Sequence, residues 1–578
     1  MTQPHPESTA ATSLRVFTFA FLALLALHFP LLRLPYFWDE AGYYVPAARD
    51  LLLTGSFIPY TTPSNAHPPL VMAWLALWWK IFGYAPVVTR TAMLAISAFA
   101  LTGLFRLARR IANIHVAIAS VICTALYPVF FAQSSMAHVD MAAAAFTFWA
   151  LDSYFAERLV ATAIWFSLAV LSKETAILAP AALFVWELVR PFIPAPYGAV
   201  PSAKTLVIPS EAIPSEAIPA AHQHIVIPSE AGLPARGQSR AVEEPAFSYT
   251  RSLALLAPAL PLALWYVYHY AHTGFIFGNP EFFRYNVAAT TNPLRIFLAL
   301  LMRLYQTLGY MNLFILTLLT AYAMRLPALK DGDNPRPRIA IPRQLALLAL
   351  IAAYVLALSV IGGAVLARYM LPVVPLVIII CVSTLRRRLS WWRTATAVVA
   401  FAFIAGWFIN PPHGFSPEDN LAYSDFVRLH QHAAEYLEAH YPRARILTAW
   451  PANDELTQPF LGYVSQPMTV LRIEDFTAEE LLAARAQASQ GQAQQDQTKL
   501  FDVAFVFSTK YDPPHSWFER WVTWQRWKMR FFGYHRDVPP EAAAQILGGR
   551  LVYVERQPGE WAGVIEIEQP DSIQEAKR

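Results

Sequence analysis

Apolar runs of near-membrane length, separated by short polar turns, fill most of the first 409 residues. A helix needs about 20 residues to cross a bilayer core. Runs of that order lie at Leu14–Leu34, Val87–Leu107, Val116–Phe131, Met141–Phe155, Leu253–Tyr270, Thr307–Met324, Leu345–Ile361, Met370–Leu385 and Thr394–Ile409. Two shorter runs, Ala161–Leu171 and Thr175–Val189, flank the polar turn Ser172-Lys173-Glu174 and imply a thinned bilayer or half-buried ends. Together these predict about eleven spans. Leu70–Phe82 is apolar but short and carries Lys80, which predicts a helix lying in or dipping into the interface and ended by Gly83. The first run is too long for a signal h-region and lacks a small-residue cleavage site, so it reads as a retained helix.

Two regions break the pattern. Residues 191–249 repeat a proline-punctuated unit, Ile208-Pro209-Ser210-Glu211-Ala212, Ile213-Pro214-Ser215-Glu216-Ala217 and Ile227-Pro228-Ser229-Glu230-Ala231. Such a composition builds no core, and predicts a disordered cytoplasmic insertion without a catalytic role. Residues 410–578 alternate helix-like segments (Tyr423–Glu438, Ala478–Ala486, Trp517–Met529) with strand-like ones (Arg445–Trp450, Met468–Leu471, Val503–Phe507, Leu551–Glu555). That alternation predicts a small α/β domain with a largely parallel sheet, with Ala484–Gln497 as a flexible insert. The fold class is therefore mainly α: a polytopic membrane helix bundle with a C-terminal extracytoplasmic α/β domain. Its divisions are a cytoplasmic tail (1–13), a first helical module (14–190) with an external loop (35–69), the insertion (191–249), the remaining spans (250–409) and the C-terminal domain (410–578).

Composition sharpens this reading. At 56% hydrophobic and 15% charged, with mean hydropathy +0.35, the chain is far more apolar than soluble domains. A net charge of +4, with no basic patch interleaved with aromatics, argues against nucleic acid. Cys123 and Cys381 both lie in apolar runs, so neither a disulfide nor a zinc cluster is indicated. Arginine-rich loops (Arg106/Arg109/Arg110, Arg158, Arg190, Arg325–Arg343, Arg386/Arg387/Arg388) alternate with poorer ones. The positive-inside rule then predicts a cytoplasmic N-terminus, with everything after Asn410 outside. The same count puts Asp39, His67, Asp140, Lys173, Arg284 and Arg368 on one external face.

The candidate chemistry starts in the stretch Pro35–Leu70, where Asp39 and Glu40 follow Tyr36, Phe37 and Trp38. Aromatics of this kind favour the bilayer interface, so the acids sit at the membrane boundary. The competing reading is an N-cap for Asp39 and a first-turn acid for Glu40. Behind them, Ala41–Leu53 has helical spacing and Gly55 reads as its stop. Asp140 opens an apolar helix, where an acid is functional by default unless it serves as a cap. His138 and Asp140 stand two apart, too close to share a helical face, but in a non-helical turn they could hold a divalent metal ion.

Trp38-Asp39-Glu40-Ala41-x-Tyr43, His67-Pro68-Pro69-Leu70, Phe82-Gly83 and Arg90 resemble the N-terminal signature of the GT-C glycosyltransferases. The branch is that of glycosyltransferase family 39 and its bacterial relatives, which includes protein O-mannosyltransferases and aminoarabinose transferases to lipid A. Asp140, Ser172-Lys173 and Arg368-Tyr369-x-Leu371-Pro372 fit the same pattern. The resemblance covers about residues 14–385 and leaves out the insertion and the C-terminal domain. It implies a GT-C bundle in a bacterial inner membrane, with the C-terminal domain periplasmic. It also implies transfer of a hexose or pentose from a polyprenyl-phosphate carrier to a protein, lipid or glycan acceptor on the outer face, with inversion. Asp39 matches the family's base, with Glu40 and Asp140 beside it as catalytic candidates. The leaving phosphate needs cations or a metal. Lys173 and Arg368 are the leading candidates, and Tyr369, His67, Lys80 and Arg284 are the remaining substrate-binding ones. Two other classes compete: a secondary transporter, though no internal repeat or pair of broken helices is evident, and a non-catalytic scaffold presenting the outer domain.

Overall fold

The computed structural model describes residues 6–192, 249–280, 290, 292–493, 500–513 and 520–567. The repeat-bearing insertion beyond Phe192, Arg284 and part of Ala484–Gln497 lie outside them. Every run predicted to span contains helix. In order these are α1 (Pro6–Leu27), α2 (Val45–Thr54), α3 (Leu70–Phe82), α4 (Pro86–Ile111), α5 (Ile114–Leu126), α6 (Pro128–Gln133), α7 (Val139–Phe155), α8 (Leu159–Ser172), α9 (Leu178–Val189), α10 (Tyr249–Leu256) and α11 (Ala259–Thr273), then helices Pro293–Leu308, Leu313–Met324, Ile341–Val360, Val374–Arg388 and Trp392–Phe408. Five segments among the described residues are long and apolar enough to cross a membrane, or six if one bent pair counts as a single span; four shorter apolar helices lie beside them.

Local sequence explains the boundaries. α1 starts at Pro6, inside the stretch read as a polar tail. α4 opens with Pro86 at its first turn and closes on Arg109 and Arg110, complementing the helix dipole. It packs along α1, α5 and α7. At Gly103 an added Cβ would come 2.6 Å from the Trp149 ring, so the small residue sets how closely α4 and α7 approach. α2 ends at Gly55 in the left-handed region, φ 74°, as its sequence predicts. The residues before it, Glu40–Tyr44, wind as one π-type turn.

Two expectations need correction. Thr307–Met324 is not one straight span. A helix already runs over Pro293–Leu308, and a second, Leu313–Met324, leaves it at 77°. Met311 and Asn312 take positive φ at the break, where Asn312 Nδ2 donates to the Ala402 carbonyl (2.7 Å) and Tyr310 donates to Asp419 (2.6 Å). Polar partners on neighbouring elements therefore fix the bend.

The C-terminal sheet is also mixed rather than largely parallel. Its five strands run in the order β4-β3-β5-β7-β6, with β3 (Arg445–Ala449), β4 (Thr469–Ile473), β5 (Val503–Phe507), β6 (Gly549–Gln557) and β7 (Glu560–Ile567). β4, β3 and β5 are parallel; β5/β7 and β7/β6 are antiparallel. Pro558 and Gly559 alone separate β6 from β7, a connection too short for a parallel crossover. A two-stranded hairpin, β1 (Lys330–Asp331) with β2 (Asn334–Pro335), lies between bundle helices.

One core fills the bundle. A second joins the first loop to the sheet: Tyr36, Phe37 and Tyr44 share it with Phe426, Ala449 and Phe505. The first loop and the C-terminal part are thus packed as one body, above the bundle's polar turns.

Candidate active site

The site begins with a turn in the backbone. Trp38 holds φ at 42°, a left-handed conformation that costs a bulky residue on the order of 1–2 kcal/mol. Its ring meets Trp450 edge-on at 4.8 Å and Phe426 at 5.7 Å, while Phe37 packs against Tyr423 and Phe426. These contacts over-determine the turn, which sends the two following acids to different surroundings.

Glu40 leaves the candidate site. It is fully buried and lines no part of the cavity. Its oxygens accept from Arg90 Nη1 (3.1 Å) and Nη2 (3.2 Å), from the Phe37 amide (2.9 Å) and from the Ala137 amide (2.6 Å). Arg90 is equally buried and also donates to the carbonyls of Pro35 (2.7 Å) and Ser135 (3.2 Å). All four acceptor directions of Glu40 are used in tying the first loop to α4 and to the turn before α7. The structure therefore places Glu40 in a buried tie between these elements and not on the cavity wall.

Asp39 faces the cavity instead. Its side chain makes no cap bond, which removes the N-cap reading, and its Oδ2 accepts from Arg368 Nη2. Arg368 is the hub of the site. Its Nη1 donates to Glu418, and its Nε lies 3.4 Å from Asp140 Oδ2, an ion pair without a directed hydrogen bond. Lys173 Nζ donates to Asp140 Oδ1 at 2.6 Å and sits 3.7 Å above the Tyr369 ring. Glu174, the alternative partner that sequence adjacency offers Lys173, is bonded instead to His67 Nδ1 at 2.8 Å. Three carboxylates (Asp39, Asp140, Glu418) thus face two cations (Arg368, Lys173). Burial pushes Glu418, in the turn after the last helix of the bundle, up to about 8, although Arg368 pulls the other way.

The loop carrying Arg368 is held from below. Arg303, fully buried, donates to the carbonyls of Leu366 (2.7 Å) and Ala364 (3.4 Å) and to Gln306 Oε1 (2.8 Å). Arg295 donates to the Gly363 carbonyl at 3.1 Å. These clamps fix residues 362–366 and so aim the next residues, Arg368 and Tyr369.

The cavity that this cluster opens into has a volume of about 2220 Å³. Towards the bundle its wall is apolar, with Leu178, Leu262, Phe297, Leu301, Leu358 and Ile361. On the other side lie residues just past the C-terminal ends of β3, β4 and β5: Trp450, Glu474, Asp475, Thr509 and Lys510. Asp39, His67, Lys173, Arg368 and Tyr369 line it, and Asp140 reaches it through Lys173 and Arg368. Lys80 does not. It is exposed on the last turn of α3 and lines no part of the cavity, as expected of a lysine whose ammonium extends to solvent from an apolar helix. Arg284 lies outside the described residues.

The His138–Asp140 pair does not fit a divalent metal. His138 Nδ1 is 2.7 Å from Gln133 Oε1, and Arg368 Nη1 approaches the ring at 3.2 Å from Nδ1 and 3.4 Å from Nε2. Asp140 is already shared by Lys173 and Arg368. A dication would displace or sit against both fixed cations. No group of three His, Cys, Asp or Glu side chains that could hold a metal occurs among the described residues.

Glu418, Asp419 and Arg303 were not predicted. One signal for the first two was present: Pro417-Glu418-Asp419 follows the last apolar run closely, as Asp39-Glu40 follows the first.

With this geometry in hand, comparison with known proteins points one way. Residues 66–195 match the family model "Dolichyl-phosphate-mannose-protein mannosyltransferase". The chain shares its fold with ArnT from Cupriavidus metallidurans. The apo crystal structure aligns at 14% identity over 96% of this chain and 98% of that one, with TM-score 0.52. The same protein bound to undecaprenyl phosphate aligns at 14% identity over 96% and 97%, with TM-score 0.51. The oligosaccharyltransferase AglB from Archaeoglobus fulgidus, in complex with an inhibitory peptide and a dolichol-phosphate, aligns at 13% identity over 95% of this chain and 74% of that one; its TM-score of 0.46 is too low to build on. No curated protein sequence matches the chain. A family model of glycosyltransferases thus matches part of the first helical module, and the fold is shared with ArnT.

Proposed function

We propose that this chain is a membrane glycosyltransferase that moves a sugar from a polyprenyl-phosphate carrier to an acceptor hydroxyl, with Asp39 as the base. The observation that carries the reading is the pairing of Asp39 with Arg368 on the wall of a cavity that is apolar on its bundle side. An isoprenoid chain suits that apolar wall, a phosphate suits Arg368 and Lys173, and a carboxylate within reach of both suits the incoming hydroxyl. The fold shared with a protein crystallised with undecaprenyl phosphate supports the same donor class.

In the proposed step the acceptor oxygen attacks the anomeric carbon from the face opposite the phosphate. The carbon–oxygen bond to the phosphate breaks as the new glycosidic bond forms, which inverts the centre. Asp39 takes the acceptor's proton, and the polyprenyl phosphate leaves with the bonding electrons, its charge met by Lys173 and Arg368. Eleven spans with an inward N-terminus would put this chemistry, and the C-terminal sheet above it, on the outer face of a bacterial inner membrane. The resident divalent metal considered from the sequence has no place in this scheme, because the two cations supply the charge.

The test is mass spectrometry of envelope glycoproteins, glycolipids and glycans from a deletion strain complemented with wild type or Asp39→Asn. A one-sugar mass increment absent from the deletion and from Asp39→Asn, and restored by wild type, is expected. Restoration by Asp39→Asn would overturn the base and favour a scaffold. An unchanged glycan inventory in the deletion would overturn the transferase reading itself.

A further inference from the structure

We propose that Glu418 is the positioning residue of the site: it keeps Arg368 aimed into the cavity while Arg368 passes its other N–H group from Asp39 to the donor's phosphate. This rests on the proposed transferase reading and goes beyond it, because it gives the segment after the last helix of the bundle a part in handling the donor.

The three carboxylates around Arg368 are not equivalent. Asp39's side chain is 18% exposed on the cavity wall, whereas Glu418's is 3% exposed and Asp140's 2%. Glu418 also lines the cavity, but its side chain is nearly covered, so the Asp39 bond is the one most open to an incoming ligand. Asp140 is also committed to Lys173, and its approach to Arg368 is long and undirected. If the Nη2–Asp39 bond is exchanged, Glu418 is therefore the remaining carboxylate hydrogen-bonded to the guanidinium, beside the neighbouring His138 ring, which Nη1 also approaches at 3.2 Å.

The backbone of Glu418 is built for that task. Its carbonyl accepts from Gln133 Nε2 at 3.1 Å, which ties the turn to α6. The next residue, Asp419, accepts from the Tyr310 hydroxyl at 2.6 Å, beside the 77° bend. Asn420 then bonds Asn410 Oδ1 at 2.8 Å and the Gly406 carbonyl at 3.3 Å. The turn is fixed on three sides, so the carboxylate at its tip has one position to offer.

Exchange also frees Asp39 for its proposed task. The oxygen that accepts from Arg368 cannot at the same time hold an acceptor hydroxyl along that direction. Donor binding would release it, and so order the two substrates: donor first, acceptor second.

The experiment measures binding of undecaprenyl phosphate to the detergent-purified full-length chain as wild type, Glu418→Ala and Glu418→Gln, with thermal melting of each. Glu418→Ala is expected to bind tenfold or more weakly, on the order of 1.4 kcal/mol. Glu418→Gln is expected within about threefold of wild type, since its amide oxygen still accepts from Nη1. Rescue by glutamine separates aiming from charge. Equal binding in all three would overturn the inference, since Arg368 would need no anchor. Tighter binding in both variants would overturn it too, because Glu418 would then act merely as a repelling charge. Parallel losses of binding and melting temperature in both would make Glu418 a fold residue. These outcomes leave the transferase reading standing; a wild type that binds no undecaprenyl phosphate would overturn that reading and the inference with it.

Discussion

Asp39→Asn and Glu40→Gln are the same chemical change at adjacent positions, and the structure predicts opposite results for them. Glu40 and Arg90 are both fully buried and have their charges matched to each other. Breaking a buried ion pair by removing one charge costs about 3–5 kcal/mol, because the other charge stays behind uncompensated. The amide of glutamine makes this worse: its NH₂ must face one of the donors that Glu40 now serves, Phe37 N–H, Ala137 N–H or Arg90. A buried donor left without an acceptor costs about 1–3 kcal/mol, a share already contained in the first figure. A loss of about 3–5 kcal/mol is a large part of the 5–15 kcal/mol typical of folded proteins. At Asp39 the same change leaves Arg368 with Glu418 and Asp140, and the asparagine oxygen can still accept. Its cost should stay under about 1.5 kcal/mol, while transfer is abolished. The assay is SDS titration of the purified chain in detergent mixtures, followed by tryptophan fluorescence, alongside sugar transfer in membranes. Glu40→Gln that unfolds like wild type but fails in transfer would return Glu40 to the catalytic set. Asp39→Asn that unfolds early would make Asp39 a structural partner of Arg368 and refute its separation from Glu40.

Three further outcomes are expected. Lys173→Gln should weaken undecaprenyl phosphate binding tenfold or more, about 1.4 kcal/mol, in a direct lipid-binding assay; wild-type affinity would limit Lys173 to its bond with Asp140. Joining Pro191 to Ser248 by a short flexible linker should leave sugar transfer and melting temperature unchanged, because the repeated Ile-Pro-Ser-Glu-Ala unit builds no core; loss of either would show that the segment packs on the bundle. Burial raises Glu418 from 4.5 to about 8 and Asp419 from 3.8 to about 7. Each folded-state carboxyl therefore keeps a proton that the unfolded chain gives up. Their stabilising contribution is full below about pH 4 and lost as pH rises through 7 and 8. Unfolding measured across that window should show wild type losing stability relative to Glu418→Gln, and a difference that stays flat would refute the shift.

The sequence announces the apolar helices because a membrane demands long runs of one chemical character. It hides Pro293–Leu308, since that helix carries Arg295 and Arg303, whose charges interrupt the run. Both arginines are buried against the carbonyls of residues 362–366, a pairing between distant segments that no local pattern encodes. Asp39, Lys173 and Arg368 were legible for the complementary reason: a charge at the edge of an apolar run is costly and so needs a purpose. The division between Asp39 and Glu40 was not legible, because it depends on the φ of Trp38, which Trp450 and Phe426 hold from far along the chain. The surroundings of His138 and Asp140 were hidden for the same reason. Their spacing is local, but Arg368, which lies against both, is 230 residues beyond His138. Glu418 was missed because residues 410–578 looked like a separate unit, whereas their first turn belongs to the site.

The distances along the chain between Arg368 and its partners set a timetable for biosynthesis. Asp39 precedes Arg368 by 329 residues and Glu418 follows it by 50. A ribosome feeding the chain into a membrane delivers Asp39 first, then Asp140 and Lys173, which can neutralise each other while translation continues. Asp39 waits for a counter-charge until Arg368 emerges, and Arg368 waits for its anchor until the last helix of the bundle has been made. On the proposed reading, the candidate site comes together only as a late event, after the bundle's last helix is in place.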